Sequence, residues 1–391
     1  MILSYKYRLY PTLKQEKLLL STLNTCRHTY NDALEQRKSF WKERHVSLSY
    51  VDQAKYLTRH KSNYQGQVFS QVLQNVLKRV DSSFKRFFDY CRKKKQGVKT
   101  RKVGFPRFRF YNRYRSFTYP QAGFRITNNQ DRVELSKLGL VRFVNSRSLS
   151  GRIKTCQVVR DVDQWYIIFT CDREVKPVVH NNNGSIVGID VGLKTFCMLS
   201  TGQSVENPRL LRQSERLLKR QQRVLSRKQM SNNREKQRIR VARLHRRIRF
   251  QRNDFLHKTS RWLADNFETI VFEDLVVSNM VRNRKLAKSI ADASWNRLVQ
   301  LTTYKAESAG GSVVLVNPKN TSQRCSWCGL NVFKDLSIRI HECPHCGHIE
   351  DRDLNAAKNI LQLGTSTVGH TGIIHALGDF SSTQLVLETV G

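Results

Sequence analysis

Four cysteines stand out first. Cys325-Ser-Trp-Cys328 and Cys343-Pro-His-Cys346 are two CxxC pairs with fourteen residues between them. Each pair can close a knuckle whose two thiolates supply half of a tetrahedral zinc site. Gly329 and Gly347, directly after the second cysteine of each pair, suit the left-handed turn this needs. The separation is one residue short of the usual ribbon window. One structural Zn²⁺ contributes on the order of 10 kcal/mol to ordering so small a unit. Disulfides are the alternative, which a reducing compartment disfavours. His341, His345 and His348 lie nearby; four thiolates already complete the site, so these read as phosphate contacts or bystanders. Cys26, Cys91, Cys156, Cys171 and Cys197 fall in apolar or helical patterns and read as small core residues.

The second chemistry is carboxylate. Asp190 interrupts the apolar run Ile186-Val187-Gly188-Ile189-Asp190-Val191, a pattern that predicts a buried strand. A carboxylate there costs several kcal/mol unless a metal ion, a cationic partner or a proton compensates it. Gly188 and Gly192 leave room for a ligand or another backbone. Thr269-Ile270-Val271-Phe272-Glu273-Asp274-Leu275 is a second apolar strand ending in acid. Glu350-Asp351-Arg352-Asp353-Leu354-Asn355-Ala356-Ala357 puts acids ahead of good helix formers, so Asp353 falls at or near a helix N-terminus. Asp190, Glu273 and Asp353 could converge in a mixed sheet flanked by helices. Two divalent ions about 4 Å apart, bridged by one carboxylate, would activate water and stabilise the leaving oxygen in phosphodiester cleavage. Oxygen-only ligands favour Mg²⁺ or Mn²⁺ over zinc. Singly, each acid has another reading: an arginine partner for Asp190 or Glu273, a helix cap for Asp353.

Several elements must position these groups. A strand over 2–10 gives way to a helix opened by Pro11 and Thr12, with Leu19, Leu23, Cys26, Tyr30 and Leu34 on one face. A second helical pattern, Val68 to Cys91, aligns Leu73, Leu77, Val80, Phe84, Phe87 and Cys91. Residues 115–172 carry short alternating segments between turn signals, the signature of a small antiparallel sheet or barrel. Basic and aromatic residues interleave at Arg107, Phe108, Arg109, Phe110, Arg113, Tyr114 and Arg115, which suits phosphate contact and base stacking. A polar linker, Arg173 to Gly184, marks a domain boundary. Lys194 to Ser200 reads as the return strand of a hairpin, and Ser312 to Val316 as a third strand after a helix over 295–309. From Arg209 to Arg252 the chain holds seventeen Lys or Arg against two Glu, with Ser231-Asn232-Asn233 at the turn of an expected helical hairpin. Phosphates against Arg238, Arg243 and Arg247 would relieve its self-repulsion. Residues 364–391, rich in Gly, Ser and Thr, read as a flexible tail.

The whole chain agrees with a polyanionic partner. Its 391 residues suggest two or three domains, and 69 Lys and Arg against 31 Asp and Glu give a formal charge of +38. No run approaches eighteen apolar residues, and neither a signal peptide nor a lipid anchor is evident, so neither export nor membrane association is expected. A prokaryotic cytoplasm is the expected location, with a nucleus the other.

Taken in order, these motifs resemble those of the TnpB or OrfB family, transposon-encoded relatives of type V CRISPR effector nucleases. The resemblance rests on Tyr7-Arg8-Leu9-Tyr10-Pro11, Phe105-Pro106-Arg107-Phe108, Tyr114-Arg115-Ser116-Phe117, Gly188-Ile189-Asp190-Val191-Gly192, Phe272-Glu273-Asp274-Leu275, the CxxC pairs and Asp351-Arg352-Asp353-Leu354-Asn355-Ala356-Ala357. It implies an RNA-guided DNA endonuclease of α+β multidomain architecture. A β-barrel wedge domain (1–10 and 96–180) would hold an inserted helical recognition unit (11–95). A RuvC-like, RNase H-type nuclease domain (181–319 and 349–363, with the basic hairpin at 206–262) would enclose a zinc ribbon (320–348). Asp190, Glu273 and Asp353 would bind two Mg²⁺, with Asp351 the rival for the third place. Cys325, Cys328, Cys343 and Cys346 would bind one Zn²⁺. The partners implied are a guide RNA from the transposon end and double-stranded target DNA read next to a short motif, with one or two protein copies per RNA. A catalytically silent RNA-guided repressor and a transposase or accessory protein are the alternatives.

Overall fold

The computed structural model describes residues 1–98, 100–174, 180–182, 184–335 and 338–370, with side chains to 366. Residues 175–179 and 183, half of the expected linker, and residues 371–391 of the expected tail lie outside the described residues. The chain divides into two compact units, Met1–Val175 and Lys176–Gly391. Among the described residues no helix is long and apolar enough to cross a membrane.

The first unit opens with β1 (Ile2–Tyr10), then α1 (Leu13–Arg44), α2 (Tyr50–Arg59), α3 (Asn63–Gly66) and α4 (Ser70–Lys95). Thr12 caps α1, and its hydroxyl and the Gln15 side chain satisfy each other's backbone N–H groups. Six strands follow: β2 (Ser116–Tyr119), β3 (Phe124–Ile126), β4 (Arg132–Leu135), β5 (Gly139–Val144), β6 (Arg152–Asp161) and β7 (Gln164–Asp172). With β1 they form an antiparallel sheet ordered β2-β6-β7-β1-β5-β4-β3. In a flat sheet β3 and β7 would stand about 19 Å apart at four strand spacings. Instead the Phe124 and Phe169 rings are 6.4 Å apart, so the sheet curls strongly on itself. The Tyr119 hydroxyl on β2 reaches the Ser136 carbonyl at 3.0 Å, between β4 and β5. Tyr7, Phe143 and Phe169 fill the inside.

Helices and sheet of this unit share one core. Tyr30 of α1 meets Tyr114 at 6.2 Å, and Arg79 of α4 bonds the Ser116 carbonyl and the Thr118 hydroxyl on β2. Two expectations are corrected here. Cys91 is exposed, because the buried face of α4 ends at Phe84. Tyr114 is 8 % exposed and belongs to the core, so it cannot stack on bases.

The second unit is built on a mixed sheet of β8 (Ile186–Val191), β9 (Thr195–Leu199), β10 (Ser204–Glu206), β11 (Thr269–Glu273) and β12 (Ser312–Val316), ordered β10-β9-β8-β11-β12. β8, β11 and β12 run parallel; β9 pairs antiparallel with β8 on one side and β10 on the other. Between β10 and β11 the basic segment forms α5 (Leu210–Arg227) and α6 (Asn232–Asn266), with Ser231 capping α6. Leu218, Val241 and Ile248 are the buried seam of this hairpin. α7 (Val277–Met280), α8 (Ala287–Ala293) and α9 (Trp295–Ser308) lead to β12; β13 (Ile340–Glu342) and β14 (Ile349–Asp351) form a small hairpin before α10 (Arg352–His370).

α10 crosses the sheet, and glycine makes the crossing possible. A Cβ on Gly188 would lie 2.3 Å from the Ala357 carbonyl oxygen, and one on Gly364 would strike the Val271 side chain. The space beside Asp190 at Gly188 is therefore filled by helix backbone and not by a ligand. At Gly192 the Thr195 carbonyl takes the corresponding place. A tail is expected from 364, but α10 continues to His370. Thr365 and Ser366 bond back to the Leu361 and Gln362 carbonyls, where mid-helix hydroxyls find an acceptor.

Candidate metal and nucleic-acid sites

Ile189 pairs with Phe272 across the parallel β8–β11 ladder, so the next residues, Asp190 and Glu273, are neighbours near the C-terminal ends of adjacent strands. That end of a parallel sheet is where ligands of α/β proteins gather. The first turn of α10 brings Asp353 to the same place. Burial, then the charges of Glu273 and Asp353, push the Asp190 carboxyl up to about 8, and Arg352 offsets part of that. Burial also raises Glu273, opposed by a hydrogen bond from the Thr321 hydroxyl. Three acids held against their mutual repulsion, offering oxygen only, suit hard divalent cations.

Asp351 and Asp353 have different surroundings. Asp351 is exposed, and its Oδ1 accepts from the backbone N–H groups of Asp353 (2.8 Å) and Leu354 (3.2 Å), so it is the cap of α10. Asp353 is 17 % exposed and lies 3.4 Å from the Arg352 guanidinium and 3.7 Å from that of Arg339. Arg352 is itself held by the Ile338 carbonyl at 2.9 Å. The cap expected of Asp353 is thus supplied two residues earlier, which leaves the Asp353 carboxylate to face Asp190.

The four cysteines form a tighter group. Cys325 and Cys346 sulfurs are 3.7 Å apart, Cys328 and Cys343 sulfurs 3.6 Å, and all four lie within 4.8 Å of one another. A tetrahedron with Zn–S bonds of about 2.3 Å has edges of about 3.8 Å, so the cluster is compatible with zinc. Gly329 and Gly347 have φ of 77° and 74°, and their N–H groups close the knuckles on the Cys325 and Cys343 carbonyls. Burial opposes ionisation of Cys343, but N–H groups of Cys346 and His345 hold its thiol down at about 6. Among the described residues no other group of three or more His, Cys, Asp or Glu is so compact.

The histidines divide. His341 is fully buried beside Lys334, so a phosphate contact is ruled out for it. His348 stacks on Trp327 at 5.8 Å with Glu350 alongside, and His345 is exposed. Of the basic residues, Arg107, Arg109, Arg113, Arg115, Arg243 and Arg247 are exposed. Arg109 lies over the Tyr30 ring at 5.5 Å, and Arg238 is engaged by Glu235 at 2.7 Å.

Three polar residues that sequence reasoning passed over join the two clusters: Thr321, Asn355 and Asn359, all buried. The one signal for the asparagines was their i, i+4 spacing in the helix that follows the acids.

Comparison with known proteins gives three family matches. The OrfB_IS605 model, described as a probable transposase, covers residues 169–284. The TNB domain of Cas12f1-like proteins covers 295–360. A helix-turn-helix model of the OrfB_IS605 group covers 1–45, where this chain has one strand and one unbroken helix. A candidate RNA-guided DNA endonuclease of Streptomyces pristinaespiralis is 34% identical over 371 residues, 92% of this chain and 89% of its own. A candidate RNA-guided DNA endonuclease of Escherichia coli K12, InsQ, is 32% identical over 382 residues, 92% of each. The CRISPR-associated endodeoxyribonuclease Cas12f1 of Sulfoacidibacillus thermotolerans is 29% identical over 243 residues, 57% of this chain and 56% of its own.

Proposed function

Because the chain belongs to the OrfB/TnpB family of transposon-encoded RNA-guided DNA endonucleases, we propose that it cuts DNA phosphodiester bonds at Asp190, Glu273 and Asp353, using two Mg²⁺. The observation that carries this reading is the parallel register that makes Asp190 and Glu273 neighbours beneath the first turn of α10. Mg²⁺ bound there would supply an activated water and charge stabilisation at the leaving oxygen. The chain's own contribution is to hold the three carboxylates in a partly buried, rigid frame, while Asp351 caps the helix and Arg339 and Arg352 balance the charge of Asp353.

The mixed sheet with its parallel centre and antiparallel hairpin supports an RNase H-type, RuvC-like domain, with residues 320–348 as its zinc ribbon. The curled sheet of the first unit supports the wedge barrel, with residues 11–95 as the recognition helices. A guide RNA from the transposon end is the partner for the basic hairpin, through Arg243, Arg247 and Arg238, and for Arg107, Arg109, Arg113 and Arg115 of the first unit. Base pairing then selects the double-stranded target. The test is cleavage by protein purified with its RNA, on DNA matching that RNA, with Mg²⁺, against Asp190→Ala.

A further inference from the structure

Thr321 belongs to neither metal cluster, yet it touches both frames. It is 3 % exposed, and its hydroxyl donates to Glu273 Oε1 at 2.5 Å. The Pro318 carbonyl is a second acceptor at 3.2 Å, but one hydroxyl proton goes to the nearer, charged oxygen. The Thr321 carbonyl accepts from Asn359 Nδ2 at 2.9 Å. Asn359 and Asn355 both donate to the Arg324 carbonyl, at 2.6 and 2.7 Å, and Asn355 Oδ1 accepts from Ser326 N–H at 2.8 Å. Gln362 closes the row on the Ser326 carbonyl at 2.9 Å. The backbone from Thr321 to Ser326, which runs into the first zinc knuckle, is thus pinned by one face of α10, the helix that carries Asp353.

We infer that Thr321 is a positioning residue for the nuclease: its hydroxyl fixes the Glu273 carboxylate, and the Asn355–Asn359 clamp ties that hydroxyl to the zinc-binding loop. This rests on Asp190, Glu273 and Asp353 being the ion ligands. A glutamate has three rotatable side-chain bonds, and a hydrogen bond to one oxygen removes much of that freedom and orients the other. Partners of this kind behind ligating carboxylates are worth about 10–100-fold in metal affinity or activity. A threonine retained only for packing would make no demand on its hydroxyl.

The experiment is Mn²⁺ binding to the full chain with its RNA, read from the electron paramagnetic resonance of free Mn²⁺, with zinc content and retained RNA measured on the same samples. Thr321→Val keeps the shape and removes the donor; it should weaken Mn²⁺ binding about 10–100-fold. Thr321→Ser keeps the donor and should restore most of that affinity, with zinc and RNA unchanged in both. Wild-type Mn²⁺ affinity in Thr321→Val, or an equal loss in Thr321→Ser, overturns the inference. Loss of zinc from Thr321→Val also counts against it, since the hydroxyl would then serve the knuckle. Asp190→Ala separates the two levels: if it binds Mn²⁺ like wild type, the ion ligands themselves are misassigned. If it loses Mn²⁺ while Thr321→Val keeps it, only the role of Thr321 falls.

Discussion

Cys325 and Cys346 come from one short stretch that folds around its own ligands, whereas Asp190, Glu273 and Asp353 come from β8, β11 and α10 and meet only when the sheet and its covering helix are assembled. With zinc bound, the thiolate cluster would be a folding device: its core is only Cys325, Val332 and Cys343, and the metal would supply the rest of its order. The carboxylate cluster is the reverse, a group of like charges that the finished fold holds together at a cost. On the proposed roles, stability and chemistry are separated in one unit, and Thr321, bonded to Glu273 and to Asn359, touches both frames.

This contrast can be broken from either side. The largest effect is expected at the thiolates. Cys325→Ser should abolish bound zinc and expose residues 320–351 to proteolysis, since structural zinc is worth about 10 kcal/mol in such units. Intact protease resistance with no zinc would remove the folding role. At the carboxylates the sign should reverse. The Asp190 carboxyl titrates near 8 in the folded chain and near 3.9 unfolded. The folded state therefore holds the extra proton between these values, and stability declines as pH rises from about 4 to about 8. At pH 8 without added Mg²⁺ or Mn²⁺ and with zinc retained, Asp190→Asn should melt several degrees above wild type, a gain of a few kcal/mol. Equal melting temperatures across that range would mean that Asp190 is not strained. The smallest effect separates Asp351 from Asp353. Asp351→Ala should cost about 1 kcal/mol as a lost helix cap and leave cleavage intact; Asp353→Ala should abolish cleavage. The opposite pattern would exchange their roles.

Much of this was legible because it is local. Ligand spacing and two glycines announce the thiolate knuckles, and β-branched runs around Asp190 and Glu273 announce strands. What the sequence hid is tertiary. Gly188 leaves a ligand and another backbone equally open as its neighbour until α10 is known to cross it, and Asp351 and Asp353 look alike until backbone N–H groups select one as the cap. Tyr114 looks like a stacking residue among arginines, because alternation does not say which face meets the helices. The helical spacing that includes Cys91 outruns the helix partners that bury α4. Thr321, Asn355 and Asn359 are ordinary polar residues whose meaning lies wholly in their partners.

Cutting of DNA by Asp190, Glu273 and Asp353 under RNA guidance stands or falls on a cleavage assay. Protein purified with its RNA is given DNA matching the sequenced guide, with Mg²⁺, beside Asp190→Ala carrying the same RNA. The expected result is cleavage by wild type and none by the variant, with RNA content and guide-dependent DNA binding unchanged. Cleavage retained by Asp190→Ala, or guide-dependent binding by wild type without cutting under Mg²⁺ and Mn²⁺ alike, would contradict it.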